Sequence, residues 1–204
     1  VSAVLVLPAV RSELHLTYDV FGSGETVVSS RFVPPDGTLG EDPLPEIPRL
    51  GLRLELQGAL DSVAWYGRGP HENYADRRTG APVGVYSASV DDLYYPYIRP
   101  QENGNRTDVR WVTLTDGEGE GLLAVGMPLL NVSAWPYTME DLEKATHVHE
   151  LPRRDFVTLN IDYAQKGVGD LTSAFMGMPD EAQLLPGNAC EFSFRLKPIV
   201  LMDQ

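Results

Sequence analysis

Apolar and polar residues alternate along much of this chain. The alternation is clearest in four segments, at residues 13–20, 52–57, 157–163 and 191–196. Successive side chains of a β-strand point to opposite faces, so each segment offers one apolar face to a core and one polar face to solvent. Turn sequences separate such segments: GSGE at 22–25, DG at 36–37 and 116–117, and PGN at 186–188. The pattern predicts many short antiparallel strands.

One segment, YTMEDLEKATH, has the character of a helix. Thr138 is a suitable N-cap, and Glu140 and Asp141 suit the positive end of a helix. Strands separated by turns, with one short helix, predict an all-β fold: a large antiparallel β-sandwich formed by a single domain over residues 1–204. The proline-rich stretch 34–48 is expected to be a long loop.

The composition narrows the class of protein. The 204 residues are 43% hydrophobic and carry a net charge of −13, which favours a packed core and disfavours nucleic-acid binding. The one cysteine, Cys190, is expected to be a buried strand thiol. We find neither a membrane-spanning run nor a signal peptide, and therefore expect a cytoplasmic protein. Because the chain begins at Val1, we also expect a piece of a longer polypeptide.

Two motifs combine rings with hydrogen-bonding side chains, WYGRGPHENYADR at 65–77 and YYPYIRPQENGNRTDVRW at 94–111. Each contains a Glu-Asn pair followed by an arginine. These residues are Glu72, Asn73 and Arg77 in the first motif, and Glu102, Asn103 and Arg106 in the second. A hexose binds to flat apolar surface and to planar polar groups, so a sugar pocket is one interpretation. The other is a buried network in which the motifs pair, Glu to Arg, on a bed formed by Tyr94, Tyr95, Tyr97 and Trp111.

Other candidate chemistry is weaker. His147 and His149 would share a face of a strand, but without an identifiable third ligand they fit a polar core or a pocket wall better than a metal site. Glycoside hydrolysis needs two carboxylates across the scissile bond. Only Glu72 and Glu102 are marked for that role, and weakly, so hydrolysis by this chain alone is not expected.

Four ordered motifs resemble one known family: GRGPHENYADR, PYIRPQENGNRTDVRW, ATHVHEL and TLNIDYAQKGVG. They are similar to the C-terminal domain of family-two glycoside hydrolases of the β-galactosidase type. The resemblance implies a galactose-mutarotase-like supersandwich, and an accessory domain of an enzyme that hydrolyses terminal β-D-galactosides such as lactose. The catalytic glutamates would lie on a (β/α)₈ barrel outside this chain, with the sandwich closing the active-site mouth and supporting a homo-oligomer.

The resemblance also implies site residues and partners. Relatives place a sugar-stacking tryptophan after Gly-Val-Gly-Gly-Asp, where this chain has Ala174 followed by Phe175. Either Phe175 stacks on the galactoside with less ring area, or the stacking platform is missing and the specificity differs; Phe175 is the expected substrate-binding residue of this segment. The other expected substrate-binding residues are Glu72, Asn73, Glu102, Asn103, Arg106, His147 and His149. The implied partner is the catalytic barrel domain, and the implied Mg and Na ions lie in other domains, with no cofactor in this chain.

Two further functions remain open. A free-standing sugar-binding module would use the same aromatic and polar residues. An aldose-epimerase-like protein would use a histidine with a carboxylate for general acid–base catalysis, here His147 or His149 with Glu72 or Glu102.

Overall fold

A computed structural model describes residues 1–35, 47–168, 184 and 189–201. These residues form ten strands, two α-helices and two short 3₁₀ segments. The strands are β1 (Ser2–Leu7), β2 (Ser12–Val20), β3 (Thr26–Val33), β4 (Arg49–Gln57), β5 (Ser62–Arg68), β6 (Val83–Ser89), β7 (Arg106–Thr115), β8 (Glu120–Trp135), β9 (Phe156–Gln165) and β10 (Cys190–Val200). The helices are α1 (Val90–Leu93) and α2 (Met139–Lys144). All four predicted strands are confirmed.

The α2 helix begins as the sequence predicts. The Thr138 hydroxyl accepts from the Asp141 amide, and the Asp141 carboxylate accepts from the Thr138 amide, forming a capping box. The expectation of one short helix was wrong, because α1 also forms. Its N-cap is Ser89, but four residues are too few to show a helical period in the sequence. Neither helix approaches the length needed to cross a bilayer, and the described part of the chain contains no such helix.

All strand pairs are antiparallel, and eight strands follow the order β1-β2-β3-β10-β8-β7-β5-β6. The long strand β8 joins this sheet to the β4–β9 pair. Its residues 120–127 pair with β10, whereas its residues 131–135 pair with β9. One core cluster contains Leu159 of β9 together with Phe194 of β10 and Val112 of β7. The β4–β9 pair thus packs on the larger sheet, as expected for a sandwich.

Strand β9 is buried on both faces, contrary to the predicted outward polar face. Val157, Leu159 and Ile161 face the core cluster, and the alternate side chains Thr158, Asn160 and Asp162 are also buried. The covering groups come from distant parts of the chain.

Arg49 of β4 lies over the polar face of β9. Its Nε lies 3.0 Å from Asp162 Oδ2, and its Nη2 lies 3.0 Å from Glu102 Oε1 and 3.1 Å from Gln165 Oε1. The guanidinium also stacks on Trp135, 5.3 Å from the ring centroid. Opposite Asp162, the chain has Gly51, where a Cβ atom would collide with the Asp162 carboxylate. The glycine leaves the space that the ion pair needs.

Burial raises the pKa of Asp162 to about 7, because loss of hydration outweighs the attraction of Arg49 and because Glu102 adds repulsion. Burial also raises the pKa of Glu102, with Arg49 acting in the opposite direction. The two carboxyl groups that contact Arg49, those of Asp162 and Glu102, thus both have raised pKa values.

Truncation of the core residue Leu159 to alanine should lower the free energy of unfolding by about 2–5 kcal/mol, because it leaves a cavity in a fully buried site. Urea denaturation of the full chain measures the change. Leu201→Ala is the matched control, since Leu201 is 52% exposed, and should change stability by no more than about 0.5 kcal/mol. Equal losses in the two variants would contradict the assigned core.

The free energy of unfolding should fall as the pH rises from about 4 to about 7, the interval between the pKa of Asp162 in the unfolded and in the folded chain. The folded state retains the Asp162 proton until about pH 7, whereas the unfolded chain releases it near 3.8, so protons favour the folded state between these values. One such group contributes a slope of up to about 1.4 kcal/mol per pH unit.

Denaturant titrations at several pH values measure this slope in the parent chain and in Asp162→Asn, which should flatten it. The exposed Asp61→Asn is the control and should keep the parent slope. If Asp162→Asn and the parent chain share one slope, the assignment fails.

Candidate functional site

The two polar motifs lie side by side and exchange hydrogen bonds. The backbone amide of Asn73 donates to the backbone carbonyl of Asn105 at 2.8 Å, and Asn105 Nδ2 donates to the backbone carbonyl of Asn73 at 2.9 Å. Asn73 Oδ1 accepts from both the amide and the hydroxyl of Thr107, at 2.9 and 2.6 Å. Asn73 is completely buried. Its side chain therefore joins the first motif to the start of β7.

Glu72 crosslinks the motifs through a carboxylate that is almost buried. Its Oε2 accepts from the Gly104 amide at 2.7 Å, and its Oε1 accepts from Arg77 Nη2 at 2.5 Å and from the Tyr97 hydroxyl. Gly104 has φ +74°, and a Cβ there would lie 2.8 Å from the Leu93 carbonyl oxygen. A glycine is thus required for the backbone to reach Glu72.

The side chains of Arg106 and Asn103 also form hydrogen bonds within the chain. Buried Arg106 donates to the carbonyls of Gly104 (2.6 Å), Pro70 (3.1 Å) and Leu93 (3.3 Å), and it stacks on Trp65 at 5.2 Å. Burial lowers the pKa of Arg106 to about 10. Asn103 is also buried, and its Oδ1 accepts a hydrogen bond from the backbone amide of Tyr95 at 3.1 Å.

The predicted Glu-to-Arg pairing between motifs was wrong in its detail. Glu72 pairs with Arg77 of its own motif, and Glu102 pairs with Arg49 of β4. The hydrogen bonds that join the motifs each have a backbone group or an uncharged side chain on at least one side, so the spacing of charges does not predict them.

The predicted aromatic bed is partly different. Tyr95 and Tyr97 contact each other at 4.6 Å beside Glu72, whereas Trp111 packs against Tyr66. Trp65 and Trp135 are the rings that support Arg106 and Arg49, a pairing that no local sequence pattern predicts. Trp135 also donates from Nε1 to the Asn103 carbonyl at 3.0 Å.

Two clefts open beside the joined motifs. The cleft at Glu72 has a volume of about 540 Å³, and we call it the Tyr97 cleft; it is lined by His71, Glu72, Asp76, Arg77, Arg78, Thr79, Gly80, Tyr95 and Tyr97. The cleft at Glu102, about 490 Å³, is lined by residues that include Arg49, Arg99, Gln101, Trp135 and Gln165. Burial and the Glu72 hydrogen bond raise the pKa of the Tyr97 phenol. Both clefts combine polar groups with rings, as a sugar would require.

The segment that resembles the family's stacking region begins at the Tyr97 cleft. The Val168 amide donates to Asp76 Oδ1 at 3.2 Å, and a Cβ at Gly167 would lie 2.5 Å from Asp76 Cγ. Ala174 and Phe175 lie outside the described residues, so stacking by Phe175 stays a prediction.

The two histidines lie on the surface, whereas a polar core or a pocket wall was expected, and neither lines the two clefts described above. Residues Val148–Glu150 form a 3₁₀ turn, and both His147 and His149 are exposed, with stacked rings 5.5 Å apart. His147 Nδ1 lies 3.3 Å from Glu150 Oε1. Two histidines separated by one residue are too short a pattern to distinguish a strand from a tight turn. Within the ranges that the structure describes, no three His, Cys, Asp or Glu side chains gather as a metal site would require.

Cys190 at the start of β10 is half-buried rather than fully buried. Its surroundings are apolar, as predicted for a strand thiol, since it packs against the cluster of Leu14, Leu16, Phe32, Ile47 and Leu50. Partial burial raises the pKa of the thiol.

Known proteins resemble this chain over nearly all its length. The family described as "Beta galactosidase small chain" matches residues 1–196. A β-galactosidase of Priestia megaterium is 38% identical over 199 residues, which cover 98% of this chain and 19% of that protein. A β-galactosidase of Halalkalibacterium halodurans is 35% identical over 191 residues, covering 93% of this chain and 18% of that protein.

The chain thus spans about a fifth of the curated relatives that it matches. Among solved structures, an Escherichia coli K12 protein assigned as an aldose 1-epimerase aligns with 94% of this chain and 61% of its own, with a TM-score of 0.38 and 10% identity. The family of this chain follows from the sequence matches, which cover nearly all of its length. The chain belongs to the β-galactosidase small-chain family.

Proposed function

We propose that this chain is an accessory β-sandwich domain of a β-galactosidase that hydrolyses terminal β-D-galactosides. One observation carries the proposal: the chain matches β-galactosidases over 98% of its own length but over only 19% of theirs. The catalytic glutamates would lie on the barrel domain in the remaining part of the enzyme. The homo-oligomer of the full enzyme and a cytoplasmic location belong to the same proposal.

The carboxylates of the described residues support an accessory role. Glu72 and Glu102, the two residues that the sequence marked for catalysis, are each bound by an arginine, at 2.5 and 3.0 Å. Glu72 also accepts hydrogen bonds from the Gly104 backbone amide and from the Tyr97 hydroxyl. A general acid must be free to deliver its proton to the leaving group. These two side chains instead hold loops in place.

The Tyr97 cleft is the part of this chain that we propose to border the active-site mouth. It combines the paired rings of Tyr95 and Tyr97 with the exposed guanidinium of Arg77. It also receives the Gly167–Val168 segment, from which the region containing Phe175 continues. In this proposal, Tyr97 orients sugar hydroxyls, whereas Glu72, Asn73, Asn103 and Arg106 act through the loops that they stabilise.

The first test compares the chain alone with the chain in its enzyme. We expect no hydrolysis of a chromogenic β-D-galactoside by the 204-residue chain, and hydrolysis by the β-galactosidase that contains it. Hydrolysis by the purified chain would overturn the accessory role. Accelerated mutarotation of galactose by the chain would favour the epimerase alternative, and galactose binding without the rest of the enzyme would favour a binding module.

Tyr97→Phe tests the cleft. In the assembled enzyme, we expect KM for the galactoside to rise by about two- to tenfold with kcat nearly unchanged, because one hydrogen bond is worth about 0.5–1.5 kcal/mol. Tyr66→Phe is the matched control, since Tyr66 is also partly exposed but packs on Trp111 away from this cleft. No change in KM, or the same change in both variants, would remove the cleft from the proposed mouth.

A further inference from the structure

Strand β1 forms one end of the sheet and has an unusual composition for an edge. It pairs with β2, and its other side has no strand among the residues that the structure describes. Its sequence, SAVLVL, has no charged residue. Edge strands are normally protected by charges, proline or a bulge, because a bare edge invites pairing with another strand.

The side chains of β1 are exposed on both faces of the sheet. Val4 is 54%, Leu5 45% and Val6 68% exposed. Leu5 lies opposite the buried Leu14 of β2, and Val4 and Val6 lie opposite His15 and Glu13 on the other face. Apolar residues on both faces are typical of an interior strand rather than of a solvated edge.

The backbone of β1 also has a defined free side. Val1 and Tyr18 exchange hydrogen bonds, with the Val1 nitrogen donating at 2.8 Å and the Tyr18 amide donating back at 2.7 Å. Bonded and non-bonded pairs alternate in an antiparallel ladder, so the amides and carbonyls of Ser2, Val4 and Val6 point away from β2. These outward amides and carbonyls can pair with one more strand.

The opposite edge of the sheet provides a comparison. Strand β6 reads VGVYSAS, with small residues between its exposed valines, and Val85 is 67% exposed. Gly69 donates to the Pro82 carbonyl and Val90 to the Asp61 carbonyl, so by the same alternation the Val83 and Val85 amides point away from β5. β6 therefore has outward amides like β1 but lacks its continuous apolar character.

We infer that β1 binds, by antiparallel or parallel strand addition, an apolar β-strand from the larger part of the β-galactosidase. This inference rests on the proposed function. The chain spans about a fifth of its relatives, so most of the enzyme is available to supply the strand. Main-chain hydrogen bonds to Ser2, Val4 and Val6 would give affinity, and apolar side chains on the added strand would extend both faces of β1.

A second copy of this chain fits the edge less well. Six residues extend only about 20 Å, and pairing two such edges buries far less than the about 1,600 Å² of a typical stable interface. It would also leave Val4 and Val6 of both copies exposed on their outer face. A strand with its own surrounding structure covers the edge and both faces together.

Amide hydrogen exchange at single-residue resolution tests the inference directly. In the intact β-galactosidase that contains this chain, the Val4 and Val6 amides should exchange about 100-fold more slowly, or slower still, than in the 204-residue chain alone. The Val83 and Val85 amides of β6 serve as the reference edge. Equal slowing at both edges, or rapid exchange of Val4 and Val6 in the enzyme, would overturn the inference.

If the Val4 and Val6 amides of the chain alone exchange more slowly at higher protein concentration, the occupant of the edge is a second copy of the chain. That result would also overturn the inference. If the enzyme contains this chain and is active while these amides exchange freely, only the strand addition fails. If this chain does not assemble with any galactoside-hydrolysing polypeptide, both the inference and the proposed function fail.

Val4→Pro supplies a second readout with a matched control. Proline removes an amide that points away from β2, so the β1–β2 ladder and the melting temperature of the chain alone should be preserved. The assembled enzyme should lose activity on heating about tenfold faster, whereas Val85→Pro, which removes an outward amide from β6, should have little effect. Similar inactivation rates for the two variants would contradict a strand partner at β1.

Discussion

The exchange of hydrogen bonds between Asn73 and Asn105 is the interaction on which the candidate site depends. It fixes two long irregular segments against each other and against the start of β7. The Glu72 contact with Gly104 and the Arg106 contact with Pro70 cross the same junction. Glu72 and Glu102, which flank the residues of this junction in the sequence, line the two clefts, so the junction helps to position their walls.

Burial explains why this junction is dense in polar groups. An irregular segment that lies inside the molecule has backbone groups that cannot reach water, and each unpaired one costs about 1–3 kcal/mol. The amides and the guanidinium supply the missing partners, while Trp65 and Trp135 pack against the arginine planes. Polar and aromatic residues are therefore both required, because a flat cation needs hydrogen bonds at its edge and apolar surface at its face.

The same molecule leaves apolar surface where a folded domain would normally protect it. The polar residues are concentrated in the interior of the loops, whereas the valines and leucine of β1 are exposed at one edge of the sheet. The accessory role proposed above would account for both features. The loops would present clefts to the active site, and the edge would attach to the remainder.

The amino-acid sequence alone predicts four of the ten strands, the antiparallel class, the α2 helix and the family. The strands and the helix are predictable because their signals lie in residues close together in the chain. Alternation identifies β2, β4, β9 and β10 from neighbouring side chains, and the Thr138 cap lies three residues from its partner.

The burial of both faces of β9 and the pairing of Glu102 with Arg49 became evident only from the three-dimensional contacts. The tertiary structure also placed His147 and His149 on the surface. These features depend on contacts between distant residues, with Arg49 and Glu102 separated by 53 positions. Local patterns contain no information about such contacts, because the energy of a buried charge is set by what packs around it rather than by its neighbours in the chain.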